Sequence, residues 1–276
     1  MKVALLQMTS GDDPAVNLPV TLGMIRDAAS QGAGFILTPE VTNCLSSSRA
    51  QQDAVLQLEA DDLTLAALRA EAQALGIWMS IGSLALKTGD ADGRYANRSF
   101  MISPAGEIVA RYDKIHMFDV EVSATETYRE SAGYRPGAAA VVAQTPFASV
   151  GLSICYDLRF AYLYRALAKA GADILLVPAA FSSVTGKAHW EPLLRARAIE
   201  TGCYVLAAGQ TGAHPGAGGA LRTTQGHSMV VTPWGEIVAD GGVDPGITMV
   251  DLDLTAVASA RKRIAALTHD RDFSGP

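Results

Sequence analysis

The chain has 276 residues, 49% hydrophobic and 18% charged, with 26 glycines, which suits a folded enzyme and excludes disorder. A net charge of −6 with no Lys/Arg-rich run argues against nucleic acid as a partner. The apolar run at the N-terminus is too short for a signal peptide, and no stretch is long enough to span a bilayer, so no membrane role is expected.

In chain order, residues 3–7 read as a strand, 14–31 as a helix, 34–38 as a strand, 61–75 as a helix, and 77–83 and 99–103 as strands. Residues 115–138 carry no clear periodicity, and a loop of that length in a compact fold is usually functional. Strands follow at 141–143 and 150–155, a helix at 160–170, a strand at 174–177, a helix at 188–201, strands at 204–208, 227–232 and 248–252, and a helix at 254–265. The order strand, helix, strand implies right-handed crossovers and largely parallel pairing.

The pattern occurs twice. "AGFILTPEVT" at 33–42 matches "ADILLVPAAF" at 172–181, and "GIWMSIGS" at 76–83 matches "GCYVLAAG" at 202–209. "SPAGEIVA" at 103–110 matches "TPWGEIVA" at 232–239, each reading as a strand, a Pro-x-Gly turn and a returning strand. Two similar halves, each with a sheet whose helices cover one face, predict an α/β fold of four layers, an αββα sandwich with two pseudo-symmetric halves. It is expected to form one domain over residues 1–276, with a tail from about 267 to 276.

Reacting groups in open α/β sheets gather beyond the C-terminal ends of parallel strands. Glu40 follows "GFILTP", Lys114 follows "GEIVARYD", and Cys155 ends "VGLSI", so three different strands could deliver one constellation. Each has a plainer reading: a helix-capping acid, a surface charge, an inert packed thiol. For Asp157 and Arg159 in "CYDLRF" the plainer reading is a surface ion pair. Taken together the three make chemical sense. A carboxylate takes a thiol's proton, and an ammonium with a backbone N–H after the nucleophile holds the oxyanion formed on a carbonyl carbon. These parts suffice for acyl transfer with no cofactor and no metal. The other two of the three cysteines read as incidental, Cys203 as packing and Cys44 as a loop residue, and an odd, sparse set argues for a reducing, cytoplasmic setting.

"FILTPE", "RYDKIHMFD" and "GLSICYDLRF", in that order, resemble the nitrilase superfamily of carbon–nitrogen hydrolases along nearly the whole chain. The resemblance implies a Glu40–Lys114–Cys155 triad, a second glutamate at Glu130 in "YRESAGYRPG", and the backbone N–H of Tyr156 at the oxyanion. "HMFDVEV", "CYDLRF" and "SVTGKAHWEPLLRARAIE" look most like the branch of omega-amidases and deaminated-glutathione amidases. That branch implies a small carboxylated amide as substrate, with Arg159 gripping a carboxylate and Phe181 and Thr185 lining the other side. It also implies a homodimer or higher homo-oligomer, to which the tail could contribute. Ala161-Tyr162 stand where the branch has Pro-Glu, which puts the start of the following helix in question.

Alternatives stay open at this point. An N-carbamoyl amino acid hydrolase or a nitrilase would use the same triad, and a Cys–His hydrolase could use His116, His189, His214 or His227. A metalloenzyme finds no paired His or CxxC spacing. A catalytically silent binding protein is the reading from another class.

Overall fold

The computed structural model describes residues 1–123, 126–214 and 222–275; Pro276, the end of the expected tail, lies outside the described residues. The first half runs β1 (Lys2–Gln7), α1 (Pro14–Ser30), β2 (Phe35–Leu37), α2 (Arg49–Val55), α3 (Leu63–Leu75), β3 (Trp78–Lys87), β4 (Tyr95–Ile102) and β5 (Ile108–Asp113). A bridging segment holds β6 (Asp119–Ser123), β7 (Glu126–Arg129) and the single turn α4 (Glu130–Gly133). The second half opens with β8 (Val141–Gln144) and β9 (Ser149–Leu152), then α5 (Ala161–Lys169), β10 (Ile174–Leu176), α6 (Ser183–Thr201) and β11 (Tyr204–Ala207). It closes with β12 (Thr211–His214), β13 (Arg222–Gln225), β14 (Met229–Val231), β15 (Ile237–Asp240), β16 (Gly246–Asp251) and α7 (Thr255–Arg263).

Two six-stranded sheets result, ordered β16-β1-β2-β3-β4-β5 and β15-β14-β11-β10-β9-β8. Each has a parallel trio, β1-β2-β3 or β9-β10-β11, flanked by antiparallel strands. The expected αββα sandwich is what forms. Alternation along the strands explains the layering, because successive side chains point to opposite faces. Val3, Leu5, Phe35 and Leu37 face the core shared with the second sheet, among Leu152, Ile174 and Val205. Their neighbours Ala4, Leu6 and Ile36 face outward onto Ile25 of α1 and Leu65, Leu68 and Ala72 of α3. Both faces are buried, so these strands read as continuous apolar runs.

The helices start and stop on local chemistry. Asp13 caps α1 through the Ala15 N–H, with Pro14 as its first residue. Asp62 caps α3 through the Leu65 N–H at 2.7 Å, and Gly76, at φ +65°, ends it. Ser182 caps α6, which therefore begins five residues before the expected 188. Ala161-Tyr162 do not disturb α5, which begins at Ala161.

The halves meet at their strand tips. A Cβ on Gly82 would lie 2.0 Å from the Thr38 carbonyl oxygen and 2.6 Å from Cβ of Pro178. Only glycine permits that approach. Residues 115–138 are not the structureless loop expected. They hold the β6–β7 hairpin and α4, whose residues are half-exposed and so lack a continuous apolar run.

Candidate active site

Glu40 and Cys155 both follow parallel strands, as the strand-tip rule predicts, whereas Lys114 follows β5, an antiparallel edge strand. Glu40 lies in the turn after β2, where Val41 takes φ +48°, a left-handed conformation that a β-branched residue adopts only under constraint. The constraint is visible: Ser83 Oγ accepts the Val41 N–H at 2.8 Å. The strand before Cys155 stops earlier than the expected 155. β9 ends at Leu152, and Cys155 opens a 3-10 turn, Cys155–Arg159, itself at φ +48°. Asp157 is the cause of that break. Its carboxylate accepts the Ile154 N–H at 2.8 Å, the Tyr112 hydroxyl at 2.6 Å and the His116 N–H at 3.0 Å. The Cys155 N–H donates to the Pro178 carbonyl at 2.9 Å, tying the nucleophile to the tip of β10.

Lys114 Nζ lies 2.9 Å from Glu40 Oε1 and 2.9 Å from Glu130 Oε2, and all three groups are buried or nearly so. Asn97 Nδ2 donates to Glu40 Oε1 at 2.8 Å, the Ala180 N–H to Glu40 Oε2 at 2.7 Å, and the Phe118 N–H to Glu130 Oε2 at 2.6 Å. Every donor here stabilises a charged carboxylate. Burial pushes Glu40 up, but the charges of Lys114 and Arg222 and its hydrogen bonds bring it below the ordinary carboxylate range. Burial alone would lower Lys114, yet Glu130, Glu40 and Cys155 hold it well above the usual lysine value. Burial and the Glu40 charge drive the Cys155 thiol well up, against the pull of Lys114. The resting state is thus a neutral thiol beside an ionised base, with an ammonium between two carboxylates.

These groups line a cavity of about 860 Å³, together with Tyr156, Phe181 and Thr185. The first amides of a 3-10 turn have no partner within the turn, and the Tyr156 N–H is one of them. Arg159 stands apart from the cavity wall. Its guanidinium lies 5.5 Å from the Phe181 ring centroid and 3.3 Å from His189 Nδ1. It does not pair with Asp157, which is fully buried and occupied as described. No histidine lines the cavity among the described residues, which removes the geometry a Cys–His hydrolase needs. His116 is held by Asp157 at 2.6 Å and stacked on Phe160, and burial lowers His214 to about 4 between Ser10 and Thr224.

Three residues of the site escaped the sequence reading. Asn97 had a faint signal, a buried-pattern asparagine within the strand "YANRSF". Asp157 was visible but read as a surface charge. Arg222 opens β13, "RTTQ", a polar stretch with no strand signal at all.

A buried thiol, an ionised base and a lysine ammonium beyond the strands of an αββα sandwich make this a hydrolase acting on carbon–nitrogen bonds. The chain belongs to the carbon-nitrogen hydrolase family, whose model matches residues 2–262. It is 39% identical over 280 residues to the deaminated glutathione amidase of Yersinia enterocolitica, covering 99% of this chain and 93% of that one. The crystal structure of Saccharomyces cerevisiae Nit3, described as a member of branch 10 of the nitrilase superfamily, superposes with a TM-score of 0.85 at 27% identity, over 99% of this chain and 97% of that one. The C. elegans NitFhit protein gives a TM-score of 0.89 at 35% identity, over 98% of this chain; this chain spans 65% of that longer one. A variant of the amidase from Nesterenkonia sp. AN1, at 29% identity and TM-score 0.77 over 96% of this chain and 98% of that one, carries acrylamide added at its active site cysteine. Among the described residues no helix is long and apolar enough to cross a membrane.

Proposed function

We propose that the chain is a cysteine-dependent amidase that hydrolyses a small carboxylated amide of the deaminated-glutathione type through a thioester on Cys155. The observation that carries this reading is Glu40 bound to Lys114 at 2.9 Å on the wall of the cavity that Cys155 also lines, where the Glu40 charge acts on the buried thiol. Glu40 takes the thiol proton as sulfur attacks the amide carbon, and the carbonyl electron pair moves onto oxygen. Lys114 and the Tyr156 N–H receive that oxyanion, and Glu130 holds Lys114 in place. As the C–N bond breaks, Glu40 passes the proton to the departing nitrogen. Water then attacks the thioester, giving one proton to Glu40, and the C–S bond breaks to release the acid and regenerate the thiol. A donor of the oxyanion type contributes roughly 3–4 kcal/mol to such a step.

The acyl half is a 2-oxo acid whose carboxylate lies toward Phe181 and Thr185, with Arg159 behind Phe181. Supporting the substrate class are the relatives named deaminated glutathione amidase, at 38–39% identity, and a cavity of about 860 Å³, ample for a tripeptide-sized molecule. The same reading carries a single domain over residues 1–276 with a tail from about 267, a cytoplasmic location and a homodimer or higher homo-oligomer. Three free cysteines support the location, and exposed Tyr162 on α5 and Ile199 on α6 support the dimer.

The test is product release from three compounds: deaminated glutathione, 2-oxoglutaramate and a nitrile of similar size. The expected result is 2-oxoglutarate and cysteinylglycine from the first, at the highest kcat/KM. Turnover of the nitrile alone, or of none of the three, would reject the reading.

A further inference from the structure

One cation on the cavity wall touches no reacting atom in the cycle above, although its charge helps keep Glu40 ionised. Arg222 Nη2 donates to the Ala180 carbonyl oxygen at 2.9 Å, and its guanidinium lies 5.5 Å from the Tyr128 ring centroid. Its Nε is buried and has no hydrogen-bond partner among the described residues. The other cavity arginines are neutralised, Arg49 by Asp53 at 3.5 Å and Arg129 by Glu121 at 3.1 Å. Arg222 forms no ion pair among the described residues. Its acidic neighbours are engaged elsewhere: Glu126 accepts from Tyr128 and Ser182, at 2.6 and 3.1 Å, and Glu40 from Lys114, Asn97 and Ala180. A guanidinium is charged at every working pH, and a buried N–H with no acceptor is costly. An anion entering the cavity supplies the missing acceptor, and a carboxylate matches the planar fork.

The position of Arg222 says which carboxylate. Ala180 links it to the base: the Ala180 N–H donates to Glu40 and the Ala180 carbonyl accepts from Arg222. Glu40 hands its proton to the departing nitrogen, so the cation beside Ala180 stands on the leaving-group side. The acyl carboxylate belongs to the Phe181 and Arg159 side.

We infer that Arg222 is a specificity-determining residue that receives the carboxylate carried by the leaving amine of a peptide-like amide. This rests on the amidase reading above. It makes the cavity selective for an amide bearing a carboxylate on each side of the scissile bond, over one that merely releases ammonia.

Three substrates separate the possibilities: deaminated glutathione, its analogue with a C-terminal carboxamide, and 2-oxoglutaramate, whose leaving group is ammonia. Losing one partner of a desolvated charge pair is expected to lower kcat/KM of Arg222→Gln on deaminated glutathione about 30-fold or more, mostly through KM. Loss of the Arg222 charge from Glu40 lowers kcat/KM on all three substrates by a common factor; the loss beyond it falls on deaminated glutathione, so the preference for the carboxylate collapses. Arg222→Lys, which keeps charge without the fork, falls between, and it carries the test if Arg222→Gln does not fold. Titration calorimetry on a Cys155→Ser background should show the same ranking in affinity. Equal losses on all three substrates with a lower Tm would overturn the inference, because Arg222 would then only brace Ala180. A loss on 2-oxoglutaramate as large as that on deaminated glutathione, at unchanged Tm, would overturn the leaving-group assignment. Wild-type enzyme that cleaves deaminated glutathione and its carboxamide equally well sinks the inference while leaving the amidase reading intact; wild-type enzyme inactive on all three sinks both.

Discussion

The two halves of the molecule share a strand order but divide the chemistry between them. Val3 pairs with Phe35 as Val150 pairs with Ile174, so Cys155 in the second half corresponds to Met8 in the first. The repeated Pro39 and Pro178 place Glu40 opposite Ala179, and the repeated hairpins place Lys114 opposite Val243. Base and ammonium thus come from one half, the thiol from the other, and each has an apolar counterpart. Symmetry supplies two strand tips that converge at Gly82, and departures from symmetry supply the site. One reactive group at each tip also avoids duplicating buried charge, which is costly without a partner.

Replacing a site residue with the character of its counterpart tests this division. The largest effect is expected at Lys114. Lys114→Ala leaves Glu40 and Glu130 as buried carboxylates without the ammonium that pairs them, and removing one partner of such a cluster costs about 3–5 kcal/mol. Urea denaturation should show that loss, and activity should vanish with it. Glu40→Ala removes one acid from the same cluster and the proposed base, which lines the same cavity as the thiol. Its kcat is expected to fall about a thousandfold or more, and a residual rate within tenfold of wild type would show that another base serves Cys155. The smallest effect is expected at Asp157, whose counterpart is Ser10. Asp157→Asn keeps the volume but cannot accept from Ile154, Tyr112 and His116 at once, costing about 1–3 kcal/mol. Stability and kcat should drop together, since the turn that raises Cys155 loosens; a lower Tm with unchanged kcat would show that Pro178 alone fixes the thiol.

The same comparison explains what could be read before the structure. The strand tips at Glu40 and Cys155 were legible because buried parallel strands are uninterrupted apolar runs that end abruptly in polar residues. Glu130 came from family resemblance alone, since half-exposed β6, β7 and α4 leave no strong period. The 3-10 turn at Cys155 was hidden because it depends on Asp157 reaching Ile154, Tyr112 and His116, contacts that join β5 and the segment after it to β9. Arg222 was hidden for a related reason. It stands between Leu221 and Thr223 in a stretch with no clear period, and the Ala180 carbonyl, 42 positions away, anchors its guanidinium at the cavity.

The central claim is that Cys155, alone among three buried thiols, is the nucleophile. Burial and the nearby charges of Asp12 and Asp13 push Cys44 up to about 12, and burial raises Cys203, whose thiol donates to the Ala172 carbonyl. Rapid quenching of the enzyme during turnover of deaminated glutathione, followed by peptide mass spectrometry, tests the claim directly. The account predicts a 2-oxoglutaryl thioester on the peptide containing Cys155 and on no other. An acyl group on Cys44 or Cys203, or steady turnover by Cys155→Ser, would contradict it.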